Sequence, residues 1–503
     1  LSILYKKNDF DVVGRGIGSI RASYAFHFLP AITINANYGF ADSKSDRSIA
    51  NPFMEVSQTK FSNTVQTRSN TVFDLFLSFI KEFRLAESRI DFTVGLTDQT
   101  SSIETSSIGM DGGVTNFFSR PEISASTKAT YGRFNYSFKN RYSITLSLRE
   151  DGVGKFVRNR YNLSRFISFN WSLKDELFLK NATHLTQLNL RISGGNVGEY
   201  SGFSNPNSIP LSFNGLSPQT SDRLNVGINF SISNRFFGAI DYLNNVSNDI
   251  YRFANLPQTS GFFTILLGEG KIRTEGFESN FNYLVTRRPT CNWRLGANVS
   301  YLTKELNDFR GPWVTEGSRG LLYNDSGYPV NSFGVTKQIY DTDGSPLNSV
   351  GNRYISKNTP DPWFIFGVSS ALSVGKWNFD FLLRGSIGNY VYDYNGLIFG
   401  NLQGAAFSEN MTTEVLQTKL TTRNNDSDYY LQKASFLRAE NIALGYSIEN
   451  IFKSLRVNLS AIAQNAFVIT NYTGQDPEVP NGIDFARYTV PRTFSLRLEI
   501  KGF

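Results

Sequence analysis

Residues 491–503 read PRTFSLRLEIKGF, with Phe494, Leu496, Leu498 and Ile500 alternating with Thr493, Ser495, Arg497, Glu499 and Lys501. A two-residue period sends successive side chains to opposite faces of a strand, so this segment has one apolar and one charged side. The period recurs along the chain. Ile32, Ile34, Ala36, Tyr38 and Phe40 alternate with Thr33, Asn35, Asn37 and Gly39, and Val457, Leu459, Ala461 and Ala463 alternate with Asn458, Ser460, Ile462 and Gln464. The alternation predicts about seventeen strands, near 15–28, 31–41, 65–82, 87–98, 125–138, 141–150, 162–173, 184–194, 219–232, 235–248, 272–286, 290–304, 363–374, 377–390, 436–448, 454–468 and 491–503.

Two architectures satisfy such a pattern, a soluble sandwich and a membrane barrel, and the connections separate them. Short links at Leu29–Pro30, Lys139–Asn140, Ser233–Asn234 and Gly375–Lys376 alternate with mostly long ones near 42–64, 99–124, 195–218, 249–271, 305–362, 391–435 and 469–490. A sandwich has no reason to place long loops at every second connection. An outer-membrane barrel has short periplasmic turns and long extracellular loops. A soluble lectin or adhesin sandwich is therefore the weaker expectation. No stretch approaches the ~20 apolar residues of a membrane helix. The 43 Phe and 24 Tyr suit aromatic girdles at two membrane interfaces. The fold class expected is all-β, an antiparallel transmembrane β-barrel.

Barrel termini normally lie in the periplasm and strand number is even. The last strand runs inward from the 469–490 connection, as required, but the first recognisable strand also runs inward. An odd number of strands is thus expected ahead of Leu1. The opening LSILYKKNDF has no secretory-signal pattern, because Lys6 and Lys7 follow the apolar residues.

Charge and composition exclude several functions. A net charge of +7 over 503 residues is a mild excess without a basic run, so nucleic acid is not an expected partner. Basic residues facing a lumen would favour anionic solutes, and anionic lipid headgroups account for the excess equally well. The single cysteine, Cys291, and two histidines, His27 and His184, leave little material for a disulfide framework, a metal site or a catalytic triad. No catalytic residues, cofactor or metal are expected, and the chain does not read as an enzyme.

Several segments, in order, resemble the SusC/RagA family of TonB-linked outer-membrane transporters from Bacteroidetes. They are YGRFNYSFKNRYSITLSLREDG (131–152), RFISFNWSLKDELFLKN (165–181), LNLRISGGNVGE (188–199), FFGAIDYLNNVSNDIYRFANLPQTSGF (236–262), KIRTEGFESNFNY (271–283), LLRGSIGNYVYDYN (382–395), FLRAENIALGYSI (436–448), YTGQDPEV (472–479) and VPRTFSLRLEI (490–500). The resemblance implies a barrel of about 22 strands around an N-terminal plug. Residues 1–503 would then be the C-terminal part of a TonB-dependent-receptor β-barrel, a single domain lacking the plug and first strands. Five missing strands is the kind of odd number that the topology demands. The resemblance also implies import of a large nutrient, an oligosaccharide or peptide, beneath a SusD-like surface lipoprotein lid, with TonB acting through the missing N-terminal region and outer-membrane lipid around the barrel. The alternative is a SusC-like barrel acting as a structural scaffold in an envelope complex without transport. Two departures stand out: NPNSIPLSFNGLSPQTSDRLNVG replaces the family's usual entry to the strand after 219, and Gly502 shifts Phe503 out of the outward phase.

The candidate ligand residues are loop aromatics, Trp313, Tyr323, Tyr328, Tyr340, Tyr390 and Tyr392, with Tyr394 nearby. Rings can cover a sugar face or peptide side chain while polar tips hydrogen-bond. Arg384 in LLRGS is a lumen candidate. The Arg149-Glu150-Asp151-Gly152 corner is expected to be a tight exit turn with Gly152 at positive φ. Asp341, Asp343 and Gly344 lack the further ligands of a calcium loop and read as a turn, as do Asp476 and Glu478.

Overall fold

The computed structural model describes residues 8–51, 60–111, 114–153, 161–199, 219–255, 259, 264–315, 318–403, 411–413, 415–418, 420–451, 455–485 and 490–502. They group into two compact units: Leu1–Asn170, Ser193–Asp222 and Asp249–Gly268 in the first, and Trp171–Ile192, Arg223–Asn248 and Glu269–Phe503 in the second.

The first unit is an antiparallel meander of β1 (Asn8–Ala25), β2 (Ile32–Asn51), β3 (Lys60–Phe83), β4 (Ser88–Asp111), β5 (Val114–Phe138) and β6 (Tyr142–Val153), each paired with its sequence neighbour. Three strands, β7 (Tyr161–Ser172), β8 (Leu185–Glu199) and β9 (Gln219–Ile232), contribute residues to both units. A further strand, β10 (Phe236–Asn248), belongs to the second unit, and the hairpin β11 (Tyr251–Asn255) with β12 (Thr264–Gly268) belongs to the first.

The second unit continues with β13 (Lys271–Arg288) and β14 (Cys291–Asn307). Between β14 and the next long strand lies a small sheet of β15 (Trp313–Val314), β16 (Leu322–Asn324), β17 (Ser332–Tyr340) and β18 (Pro346–Ile355). Then follow β19 (Phe364–Val374), β20 (Trp377–Ile387), β21 (Tyr390–Tyr392), α1 (Tyr394–Phe399), α2 (Val415–Thr418), β22 (Leu431–Lys433), β23 (Phe436–Ile451), β24 (Leu455–Gln464), β25 (Val468–Thr470) and β26 (Thr493–Gly502). Its long strands pair in the order β10, β13, β14, β19, β20, β23, β24, β26. The short β25 pairs with β23 and continues the path of β24. All seventeen expected strands are present, with β24 and β25 sharing one expected span.

Turn chemistry explains the short links. Lys139 and Asn140, like Ser233 and Asn234, all hold positive φ, as a type I′ hairpin turn requires. That turn matches the right-handed twist of the flanking strands, so the register follows directly.

Two expected loops are corrected. The 42–64 and 99–124 connections are mostly strand: β2 runs to Asn51 and β3 starts at Lys60, while β4 runs to Asp111 and β5 starts at Val114. A 24-residue strand reaches roughly 80 Å, far beyond the ~9–11 residues that cross a bilayer. Past the lipid both faces are wet, so apolar alternation stops while the backbone ladder continues. Polar cross-strand bonds take over, as in Ser69 to Asp42 at 2.5 Å and Asn63 to Asp46 at 3.1 Å. The Arg149–Gly152 corner is also corrected. It is continuous strand in β6, with Glu150 opposite Thr130 and Gly152 opposite Lys128. Arg149 Nε donates to Asp151 Oδ1 at 2.8 Å, two residues along the same face. Residues 200–218 and Phe503, on which other expectations fell, lie outside the described residues.

The membrane-type pattern is plain in each unit. Phe92, Val94 and Leu96 of β4 are exposed on one face, as are Phe494, Leu496, Leu498 and Ile500 of β26. The packed core lies elsewhere, in the long connections of the second unit. Leu321, Leu322, Phe333, Val335, Tyr392, Leu397, Tyr430 and Ile483 form one buried cluster. Water drives apolar burial there, whereas lipid-facing side chains need none. Leu498→Arg is expected to cost ~2–4 kcal/mol if the site lies near the bilayer midplane. Heat-modifiable migration on gels should show the loss of folded barrel, while Arg497→Gln on the opposite face leaves it unchanged.

Candidate functional site

The long connections expected as loops are folded, and their packing decides where each candidate residue lies. Tyr392 on β21 is wholly buried between Tyr430, 6.1 Å away, and the rest of the cluster. Burial pushes its hydroxyl pKa well above the usual phenol range. It is a packing residue and offers no face to a ligand. Trp313 packs against Phe309 in a tilted ring pair with centroids 4.5 Å apart. Arg353 lies over Tyr323 at 5.2 Å and also donates to the carbonyls of Gly320 and Gly334. Tyr328 is held at the end of β14, where its carbonyl accepts from Leu306 N at 3.1 Å. Tyr340 stays exposed beside Lys337 and Asp428. Asp341 and Asp343 accept bonds from Thr342 N and Ser345 N at 2.7 and 2.9 Å, the turn chemistry expected. Among the described residues no group of three His, Cys, Asp or Glu side chains could hold a metal.

Of the seven candidates, Tyr390 alone lines a cavity of the second unit. This space of about 860 Å³ lies where β14, β19 and β20 enter the long connections. Its aromatic wall is Tyr301, Trp363 and Tyr390. Tyr301 and Trp363 meet edge to face at 5.8 Å, and Trp363 remains 46% exposed. Its charged groups are Lys304, Lys357, Lys433 and Asp361. Lys304 and Asp361 pair at 2.9 Å, which leaves Lys357 and Lys433 without an ion pair among the described residues. A volume of this size suits a multi-unit ligand. Trp363, Tyr301 and the lysines escaped the candidate set. The signal that could have found Trp363 is Pro360-Asp361-Pro362-Trp363, a turn that plants an indole at the start of β19.

Arg384 belongs to a second constellation. It lies on the polar face of β20 with Asn378, Asp380 and Ser386, directly opposite Arg438 of β23. A register shift at Leu382/Leu383 gives β23 an extra residue there, Glu440, whose Oε2 accepts from Arg384 Nε at 2.6 Å. Glu478 grips the other two guanidinium nitrogens at 2.7 and 2.6 Å. Arg438 is 2% exposed and donates to Asp476 at 2.5 Å and Asn465 at 2.7 Å. Two like charges opposite one another would repel, and three carboxylates compensate them. Arg384's hydrogen bonds hold the Glu478 carboxyl below its usual range, against the opposing effect of burial. The network ties the 469–490 connection to the strands, so Asp476 and Glu478 do more than shape a turn.

Long strands with one apolar face, tight turns at one end and folded connections at the other define a transmembrane β-barrel protein. The chain belongs to the family described as TonB dependent receptor-like, beta-barrel, which it matches over residues 4–466. It is an outer-membrane protein. It is 28% identical to the TonB-dependent receptor SusC of Bacteroides thetaiotaomicron, over all of this chain and 57% of that protein. It is 24% identical to the TonB-dependent receptor P39 of Formosa agariphila, over 70% of this chain and 43% of that one. The chain thus spans about half the length of the curated relatives it matches. In fold it is similar to the RagAB peptide transporter, with a TM-score of 0.81 and 16% identity over 98% of this chain and 62% of that one. The closed-closed RagAB peptide importer gives 0.84 over 99% and 63%, again at 16% identity. These relatives are receptors and transporters rather than enzymes.

Phe333→Ala in the loop cluster is expected to cost about 3–5 kcal/mol. Limited proteolysis should then cut the 313–355 region while the strands stay protected. Asp428 anchors the same region, accepting from Gln338 N at 2.8 Å, Lys337 Nζ at 2.9 Å and Tyr354 Oη at 2.8 Å. Burial opposes ionisation, and these three bonds outweigh it, so the carboxyl pKa is lowered. The stabilisation is therefore present above the ordinary carboxylate pKa and is lost as pH falls through the depressed folded-state value. Hydrogen exchange at β17 and β18 should accelerate below about pH 4, and Asp428→Asn should remove that pH dependence.

Proposed function

We propose that this chain supplies the barrel and ligand-binding connections of a TonB-dependent importer for a nutrient too large for a porin, an oligosaccharide or a peptide. The observation that carries this reading is the cavity of about 860 Å³, walled by Tyr301, Trp363 and Tyr390 at the root of a folded loop assembly. Rings of this kind cover sugar faces and apolar side chains, and the unpaired Lys357 and Lys433 suit an acidic substituent or a peptide carboxylate. The likeness to SusC and to a peptide transporter supports a polymeric nutrient of either class.

In this reading a SusD-like surface lipoprotein closes over the extracellular connections and delivers ligand to the cavity. A plug and a TonB-contacting segment belong to the part of the relatives' length that this chain does not span. Binding precedes energised movement of the plug, and no bond in the nutrient is made or broken. Arg384 remains a proposed lumen contact, although its guanidinium is already engaged by Glu440 and Glu478.

The test is uptake by cells carrying the full-length protein, using fluorescent oligosaccharides and peptides above the porin size limit. One of the two classes should enter in an energy-dependent manner. Tyr390→Ala with Trp363→Ala should lower that uptake about tenfold, the loss of two ring contacts. Uptake unchanged by the double substitution would place the ligand elsewhere, and no uptake of either class would count against import.

A further inference from the structure

The ladder joining β19 to β20 ends at Phe364 opposite Ile387, and the next residues beyond it are Trp363 and Gly388. Gly388 is anchored through its neighbours. Its N–H donates to Ser435 Oγ at 3.0 Å, and Asn389 Nδ2, beside it, donates to the Ala434 carbonyl at 3.0 Å. Trp363 is tied to the strand on its other side, where its carbonyl accepts from Leu302 N at 3.1 Å. Two fixed backbones thus bring the indole and the glycine together, both on the wall of the aromatic cavity.

Glycine is required here twice over. Its φ of +91° is a conformation that a side chain makes costly. The space is also taken, because a Cβ at 388 would fall onto Nε1, Cδ1 and Cε2 of Trp363. The pyrrole part of the indole therefore occupies the place of the missing side chain. The same arrangement occurs earlier in β20, where Phe366 covers its cross-strand partner Gly385. An aromatic ring laid over a facing glycine regains contact area that the glycine lacks. The two pairs differ in what the ring meets next. Phe366 belongs to the apolar face of β19 with Phe364 and Val368. Trp363 stands on the cavity wall instead, 46% exposed and flanked edge to face by Tyr301.

We propose that Gly388 is a positioning residue of the aromatic cavity. By carrying no side chain, it lets the Trp363 indole lie back on the end of β20 and leaves the space in front of the ring to a ligand. Any residue with a Cβ at 388 pushes the indole off this seat and shifts the ring against which a ligand packs. The proposal rests on the reading of this cavity as the nutrient site, and adds the residue that sets where its aromatic wall stands.

The experiment is hydroxyl-radical footprinting of the full-length protein in detergent. Oxidation of Trp363 is read by mass spectrometry, with Trp377 at the far end of β20 as internal reference. Gly388→Ala should raise Trp363 oxidation by about twofold, the step from 46% to full exposure, and leave Trp377 unchanged. Gly375→Ala controls for the backbone, because Gly375 also holds positive φ but has nothing within 4 Å of a Cβ. It should change neither tryptophan. In cells, uptake of the fluorescent oligosaccharide or peptide that wild type imports should fall about threefold in Gly388→Ala, the loss of one ring contact. Adding Gly388→Ala to Trp363→Ala should cause no further fall, because the glycine acts through the ring. Heat-modifiable migration checks folding, and if Gly388→Ala alone does not assemble, the double variant, free of the clash, decides. Trp363 oxidation no higher than wild type in folded Gly388→Ala, or a further fall in the double variant, would overturn the proposal. If wild type imports neither class, the nutrient reading fails, while the footprint still decides whether Gly388 seats the indole.

Discussion

Lipid offers no hydrogen bonds, so every backbone N–H and C=O within the bilayer must find a partner in the protein. Among the described residues the long strands meet this demand with antiparallel ladders, such as the continuous one joining β3 to β4. Side chains on the outer face are then free to be apolar without packing on anything. The sheet therefore contributes few fully buried side chains, and the largest buried hydrophobic cluster lies in connections that meet water. The usual arrangement of a soluble protein is reversed: apolar residues face outward along the strands, and a small interior is assembled from loops.

The ladder also sets the asymmetry between the two kinds of connection. Where a turn only reverses the chain, two residues at positive φ suffice, as at Ser233 and Asn234. Where connections must carry a binding surface, they need stability of their own. Here it comes from the Phe333–Tyr392–Tyr430 cluster, from Asp428 holding β17 and β18, and from the Arg384–Glu478 and Arg438–Asp476 pairs that fasten the 469–490 connection to the strands. Breaking one partner of a buried pair such as Arg438–Asp476 leaves an uncompensated charge, a far larger penalty than the pair's net contribution. The same residues thus provide both rigidity and registry at the root of the aromatic cavity.

Much of the strand plan was legible because lipid on one side and water on the other impose a period that survives in the residues, as in Phe494 to Ile500. The ends of β2 to β5 were hidden because Ser, Thr and Asn on both faces carry no such contrast. Among the ligand candidates, Tyr390 reaches the cavity, while Tyr392, two residues on, is buried. Alternation alone could say that they share a face but not whether that face meets solvent or a folded loop. Trp363 went unnoticed because a tryptophan at the head of a strand reads as a girdle residue until the loop beside it is placed.

The sequence by itself determined the strands, their alternation, the short turns and the family, because these depend on local chemistry and on a solvent that differs between two faces. Only the tertiary structure decided that the long connections are a packed body and that Arg384 is gripped by Glu478, 94 positions away in sequence. Those outcomes depend on contacts between segments remote in sequence, and no periodicity records which remote segments meet.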